Sequence, residues 1–485
     1  MAIAGFIFLI AAHYLCGAGL LALFAIKLPS VKHNALAIIA GIVVVSFVPF
    51  LLQLGYVPIT LTSVAAGIVV LCLLLNITRI KNFNLAALRD IRLLPRFKSY
   101  EVPFLIIFAF ILFSSIWRSF YFPPNARDML SGPEVIAEYT VKEHTMLNSV
   151  LSVNLESTNN HLKPPFVSGL QIVYKFFGFE FGQVWVGILA IAFCVFLYQS
   201  LRERVHPVLA GTLTLLFLAI PEVYAYTYIM LFDYSNMVLF FIGVYFLFEY
   251  FKSGRRNEFY FASVMLAFSV FVRLETLVLV GMLLPAFWLY AVRKKVSLKH
   301  VALQSIVMVG AGFILYFLWL NVYVKHYMPG NLSVVAKDVN HNLSDLSPLF
   351  TRFSDMNGQL LFGKYATALW AYFINIFLAV FILDLIISRK ISKESRNWLY
   401  AVAVVYFGLP FLGYLLPLMD LMNTTKRGLF KLMPFLVLIM ANTGLLQRLS
   451  AKMYSWETAP DSQPANKART VKQPVKSRGK AKATR

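Results

Sequence analysis

Between two membrane-length apolar runs lies a polar stretch, 121–165, that carries Asp128, Glu134, Glu138, Glu143, His144, Glu156, His161 and Lys163 and ends in Pro164-Pro165. In a chain that is 59% hydrophobic, so dense a set of titratable groups is where water-side chemistry can meet an apolar body. Asp128 has the type and place of a general base, because a carboxylate held just above a bilayer can take a proton from an acceptor hydroxyl. The plain alternative is a solvated residue paired with its neighbour Arg127. Glu134 and Glu138 are four apart in a stretch able to be helical, so both fall on one face, either shaping an acceptor or metal site or forming a wetted surface. His161 and Lys163, beside prolines that fix an extended entry into the next apolar segment, suit phosphate binding; structural punctuation explains the prolines equally well.

Further along, Asp233 sits at one end of an apolar run, where a charge is tolerated when it lines a polar cavity. Arg273-Leu274-Glu275 interrupts an almost wholly apolar stretch, 259–291. Two readings compete evenly: a mutual ion pair forming a turn, or Arg273 gripping an anionic head group that Glu275 orients. Near the end come Asp420, Lys426, Arg427 and Lys431, a run of three cations that Asp420, lipid head groups or a phosphate-bearing ligand would compensate.

These residues need elements to hold them. A chain of 485 residues with 14% charged residues and mean hydropathy +0.71 is no soluble globule, whose charged share is about a quarter. The expected fold is all-α, a polytopic transmembrane helical bundle of about thirteen spans. The spans are read at 3–26, 35–54, 58–78, 102–120, 182–200, 208–228, 231–251, 258–272, 274–292, 300–323, 364–388, 397–418 and 428–447. The first run, with no basic residue before it and no clear cleavage site, reads as a retained helix. An outward N-terminus puts 31 of the 44 Lys and Arg residues on the inner face. Loops 121–165 and 324–362 then face outward, with 166–181 read as a re-entrant or interfacial segment.

Three regions follow: 1–101, spans ending in an amphipathic inner-surface helix at 82–101; 102–447, the body that bears the site; and 448–485, a basic disordered cytoplasmic tail. The net charge of +22 therefore reports topology, and no nucleic-acid partner is expected. Cys16, Cys72 and Cys194 lie inside apolar runs, without disulfide or zinc spacing. No internal repeat or matching pair of broken helices points to an inverted-repeat transporter.

Asp128 with Glu138 in a large outer loop, His161-x-Lys163-Pro164-Pro165, Asp233, Arg273-x-Glu275 and the run Lys426 to Pro434 together resemble the GT-C integral-membrane glycosyltransferases, the class of the protein O-mannosyltransferases and aminoarabinose transferases. The resemblance spans roughly 102–447 and rests on the order of the motifs. It departs from the family pattern in having three more spans before the acidic loop and no adjacent acidic pair at Asp128.

The resemblance implies transfer of a sugar from a polyprenyl-phosphate donor to a glycan, lipid or protein acceptor, inverting and at the outer face. Asp128 would be the base, Glu134 and Asp233 further catalytic acids, and His161, Lys163, Arg273, Glu275, Lys426, Arg427 and Lys431 the donor-phosphate site. A divalent metal, Mg or Mn, is compatible with such a site, although no residue pattern fixes one. No glycine-rich nucleotide loop is present, in keeping with a lipid-linked donor. The alternatives are a flippase or transporter of lipid-linked sugars, or an O-antigen ligase or polymerase. A bacterial inner membrane with a periplasmic site is the expected location. The tripeptides at Asn331, Asn342 and Asn423 match the glycosylation pattern without deciding it.

Overall fold

The computed structural model describes residues 2–81, 97–124, 127–152, 163–325, 344–416 and 420–458, and every regular element among them is helical. Backbone amides in apolar surroundings must bond within their own segment, which is why apolar runs of this length become helices. The helices that place the site are α1 (Ala2–Leu23), α2 (Ser30–Ser46), α3 (Val102–Tyr121), α4 (Val135–Glu143), α5 (Phe166–Phe176), α6 (Val184–Arg202), α7 (Phe232–Ser253), α8 (Arg256–Val272), α9 (Leu298–Phe317), α10 (Lys393–Leu415) and α11 (Met433–Ala441).

Helix α7 is the bundle's centre: almost every residue from Phe232 to Phe248 is buried. It packs against α8, which in turn packs against α9, while α2 lies against α6 and α10 against α11. Gly254, in the left-handed conformation at φ 72°, ends α7 and lets the chain reverse into α8. Contact between α1 and α2 depends on two glycines. A β-carbon on Gly17 would stand 1.7 Å from the Ala37 carbonyl oxygen, and one on Gly41 would stand 1.6 Å from that of His13. Small residues that let backbones touch are the usual means of joining helices in lipid, where lipid tails compete with apolar side chains.

Each of the thirteen apolar segments coincides with a helix or a pair of helices. Eight of these helices are long and apolar enough to cross a membrane, and up to 10 if two bent pairs each count as one span. The count is smaller than thirteen because Pro207–Leu218 is a short apolar helix, followed by a turn before Pro221, because α8 has only 17 residues, and because the 21-residue helix Leu61–Lys81 is counted only as far as Ile77. The bent pairs, Lys364–Trp370 with Phe373–Ser388 at 97° and Lys426–Ala441 with Gly444–Glu457 at 55°, are breaks absent from the sequence reading.

Segment 166–181 is a buried helix, α5, followed by a turn. Residues 82–96 of the expected amphipathic helix, His161, Asn331, Asn342 and the tail beyond 458 lie outside the described residues. The three cysteines are free thiols, and Cys16 and Cys194 are buried.

Charged side chains collect at two opposite ends of the bundle. At one end Lys32, buried, donates to Glu203 at 2.6 Å and to the Tyr245 hydroxyl at 2.7 Å. There Arg204 faces Glu394 at 3.5 Å, and Arg202 meets Glu101 at 2.9 Å. The first turn of α7 and the junction between α8 and Thr276 lie at the other end, with the site.

Candidate functional site

Arg273 terminates α8, and Asp233 begins α7, so reversal of the chain between antiparallel neighbours brings them together. The Arg273 guanidinium pairs with both Asp233 and Glu275. Arg273 and Asp233 are buried. The two readings of Arg273-Leu274-Glu275 thus merge, since the turn ion pair exists and also reaches across to Asp233. Burial alone would raise the Glu275 carboxyl, but Arg273 and then Lys431 hold it below the usual carboxylate range.

Lys431, buried in the 3-10 turn Leu429–Leu432 that leads into α11, stands in the field of Arg273, Glu275 and Asp233. Lys163 enters from the segment before α5, with its ammonium 4.5 Å from the centre of the Phe232 ring. Burial, and then the Arg273 guanidinium, push the Lys163 ammonium down to about 8, against the opposing pull of Asp233, Glu275 and Asp128. Among the described residues, neither Lys163 nor Lys431 has a carboxylate at ion-pair distance.

Asp128 is joined to this group by Arg427, whose guanidinium donates to it at 2.6 Å. Arg427 also feels Asp233 and Tyr226. Lys426 pairs at 3.3 Å with Glu222, a residue the sequence reading passed over, and Glu222 also accepts from the Trp370 indole at 3.1 Å. An acid directly after Pro221, within an apolar stretch, was the available signal. Asp420 accepts from the Thr424 amide at 3.0 Å and also acts electrostatically on Arg352.

Of the expected site residues, the structure therefore gathers Asp128, Lys163, Asp233, Arg273, Glu275, Lys426, Arg427 and Lys431. Glu134 is engaged elsewhere. It meets Lys175 at 2.7 Å and Gln171 at 2.7 Å, and Glu138 reaches the same Lys175 at 3.2 Å, so their shared face docks α4 on α5. No protein family, curated protein or solved structure matches the chain. Among the described residues no group of three or more His, Cys, Asp or Glu side chains could hold a metal ion, and the acids of the site face Arg and Lys instead.

Chemically the arrangement is a patch of five cations, Lys163, Arg273, Lys426, Arg427 and Lys431, interleaved with four carboxylates, Asp128, Glu222, Asp233 and Glu275. Among the described residues, two of the cations, Lys163 and Lys431, have no carboxylate of their own. Such a surface suits an anion bearing more than one oxygen, with Asp128, the most exposed of the carboxylates that carry ion pairs here, at its rim.

Proposed function

We propose that the protein is a membrane glycosyltransferase of GT-C type that takes a sugar from a polyprenyl-phosphate donor. The observation that carries this reading is the convergence of Lys163 and Lys431, cations without a carboxylate partner among the described residues, on the Arg273–Asp233–Glu275 cluster beside the Asp128–Arg427 pair. The donor phosphate would bind Lys163, Lys431 and Arg427, with its isoprenoid tail lying in lipid. Competition by phosphate for Arg427 would release Asp128 to the acceptor. Asp128 then takes the hydroxyl proton, the acceptor oxygen bonds to the anomeric carbon, and the carbon–oxygen bond to phosphate breaks. Polyprenyl phosphate leaves with the bonding electrons, its growing charge met by the cations. Arg273 is held by Asp233 and Glu275, so it supplies field to the site and its two acids keep the cations positioned. In this reading the site end of the bundle faces the periplasm, the Lys32 end faces the cytoplasm, and further short helices complete the thirteen spans.

The test is reconstitution of the purified protein with radiolabelled polyprenyl-phosphate sugars and a panel of glycan, lipid and protein acceptors. Transfer by the wild type, reduced about 10²-fold or more in Asp128→Asn, is the expected result. Undiminished transfer in Asp128→Asn removes Asp128 as the base. Lipid scrambling without transfer identifies a flippase.

A further inference from the structure

At the same end, a cavity of ≈ 300 Å³ is lined by Arg118, Phe122, Pro123, Gln183, Tyr228 and Ile229. That is about ten water volumes, too large for one trapped solvent molecule to fill. Arg118 ends α3 and donates to the Tyr228 hydroxyl at 2.9 Å, and its guanidinium lies 4.9 Å from the Tyr228 ring centre and 5.9 Å from that of Tyr224. Among the described residues no carboxylate lies at ion-pair distance from it. An Arg partnered only by aromatic faces and a hydroxyl retains donors for an anion.

Gln183 supplies the second observation. It is 2% exposed, its Nε2 donates to the Phe122 carbonyl, and its Oε1 is buried with no donor among the described residues. The carbonyl can only accept, so the amide orientation is fixed and the acceptor is left over. A buried acceptor beside a cation without a carboxylate calls for a ligand that is both anion and donor. The route to the cavity is from lipid: Phe113, Trp117, Phe120 and Tyr121 of α3 and the adjoining Phe122 are all exposed, the aromatic signature of head-group depth.

We infer that this cavity binds the head group of an anionic phospholipid, its phosphodiester on Arg118 and a head-group hydroxyl on Gln183 Oε1. Phosphatidylglycerol has both features. Phosphatidylcholine lacks the net charge and the donor. The site is separate from the Asp128 cluster and stands whether or not sugar transfer is found.

Full-length protein in a maltoside detergent, titrated with phosphatidylglycerol, phosphatidylcholine or inorganic phosphate and read by native mass spectrometry, tests it. Phosphatidylglycerol should be retained at least about tenfold more tightly than phosphatidylcholine. Arg118→Gln should remove that preference without lowering the unfolding temperature of the lipid-free protein. Should Arg118→Gln fail to fold, Ile229→Trp, which fills the cavity and leaves the charges untouched, should abolish the preference. An unchanged preference in whichever variant folds overturns the inference, as does displacement of bound lipid by millimolar inorganic phosphate.

Discussion

Arg273 is the residue on which most of the site depends, because removing it leaves Asp233 and Glu275 buried without their cation. Loss of one partner from a buried pair costs about 3–5 kcal/mol, far more than the pair contributes when intact. Arg273→Met should therefore lower the unfolding temperature sharply, whereas Arg273→Met combined with Asp233→Asn should recover part of the loss. Additive losses in a thermal-shift double-mutant cycle would show that the two do not act as a pair. Lys163 offers a pH handle. Its ammonium is depressed to about 8 from the ordinary value of 10.5, so phosphate affinity should fall about tenfold between pH 7 and pH 9. The stability effect has the opposite sign: between about 8 and 10.5 the unfolded chain holds a proton that the folded chain does not, so Lys163 favours folding more as pH rises. Lys163→Arg should flatten the binding profile, measured by calorimetry with a polyprenyl-phosphate analogue. Asp128, Asp233 and Arg273 were legible as candidates because charges in apolar sequence stand out. Their partners were not, since Asp128 and Arg427 are 299 positions apart and no local pattern links them.

At the scale of elements, helix existence followed from apolar run length, and each expected segment is helical. Boundaries and bends did not follow as well. The break between Trp370 and Phe373 turns on Ala371 and Tyr372, both at positive φ, which a run of good apolar residues does not announce. The i, i+4 argument for Glu134 and Glu138 identified a shared face, but that face is spent on Lys175 of α5, in the segment expected to be re-entrant or interfacial. Helix contact through Gly17 and Gly41 makes a sharp prediction. Gly41→Val should destabilise by about 3 kcal/mol or more, the upper end of overpacking, since the β-carbon meets backbone that cannot yield. Gly281→Ala, with nothing within 4 Å of its added carbon, should stay within about 1 kcal/mol of wild type. Equal unfolding temperatures for the two variants would refute the close packing of α1 on α2.

For the whole molecule, the two charged ends define an axis, and the proposed function takes its direction from positive-inside counting. In a cysteine-free background, Leu130→Cys at the site end should be labelled by an impermeant maleimide only from outside, and Lys393→Cys at the opposite end only from inside; both side chains are exposed. The reverse pattern would turn the proposed site to the cytoplasm and remove the donor geometry argued above.

Composition and run length by themselves determined that this is a polytopic helical protein, because apolar stretches without charge have one stable form in lipid. They also singled out most of the charged residues that matter, each conspicuous in its surroundings. Tertiary structure alone decided how those charges are shared: Arg273 between Asp233 and Glu275, Arg427 with Asp128, Lys426 with the overlooked Glu222, and Lys163 and Lys431 without a carboxylate among the described residues. The reason is electrostatic and geometric. A charge near apolar matter must find a partner, but which partner depends on which helix ends meet, and that is set by packing between segments hundreds of residues apart. The polar stretch at 121–165 accordingly contributes one carboxylate and one ammonium to the cluster, Asp128 and Lys163, while its glutamates at 134 and 138 hold the scaffold.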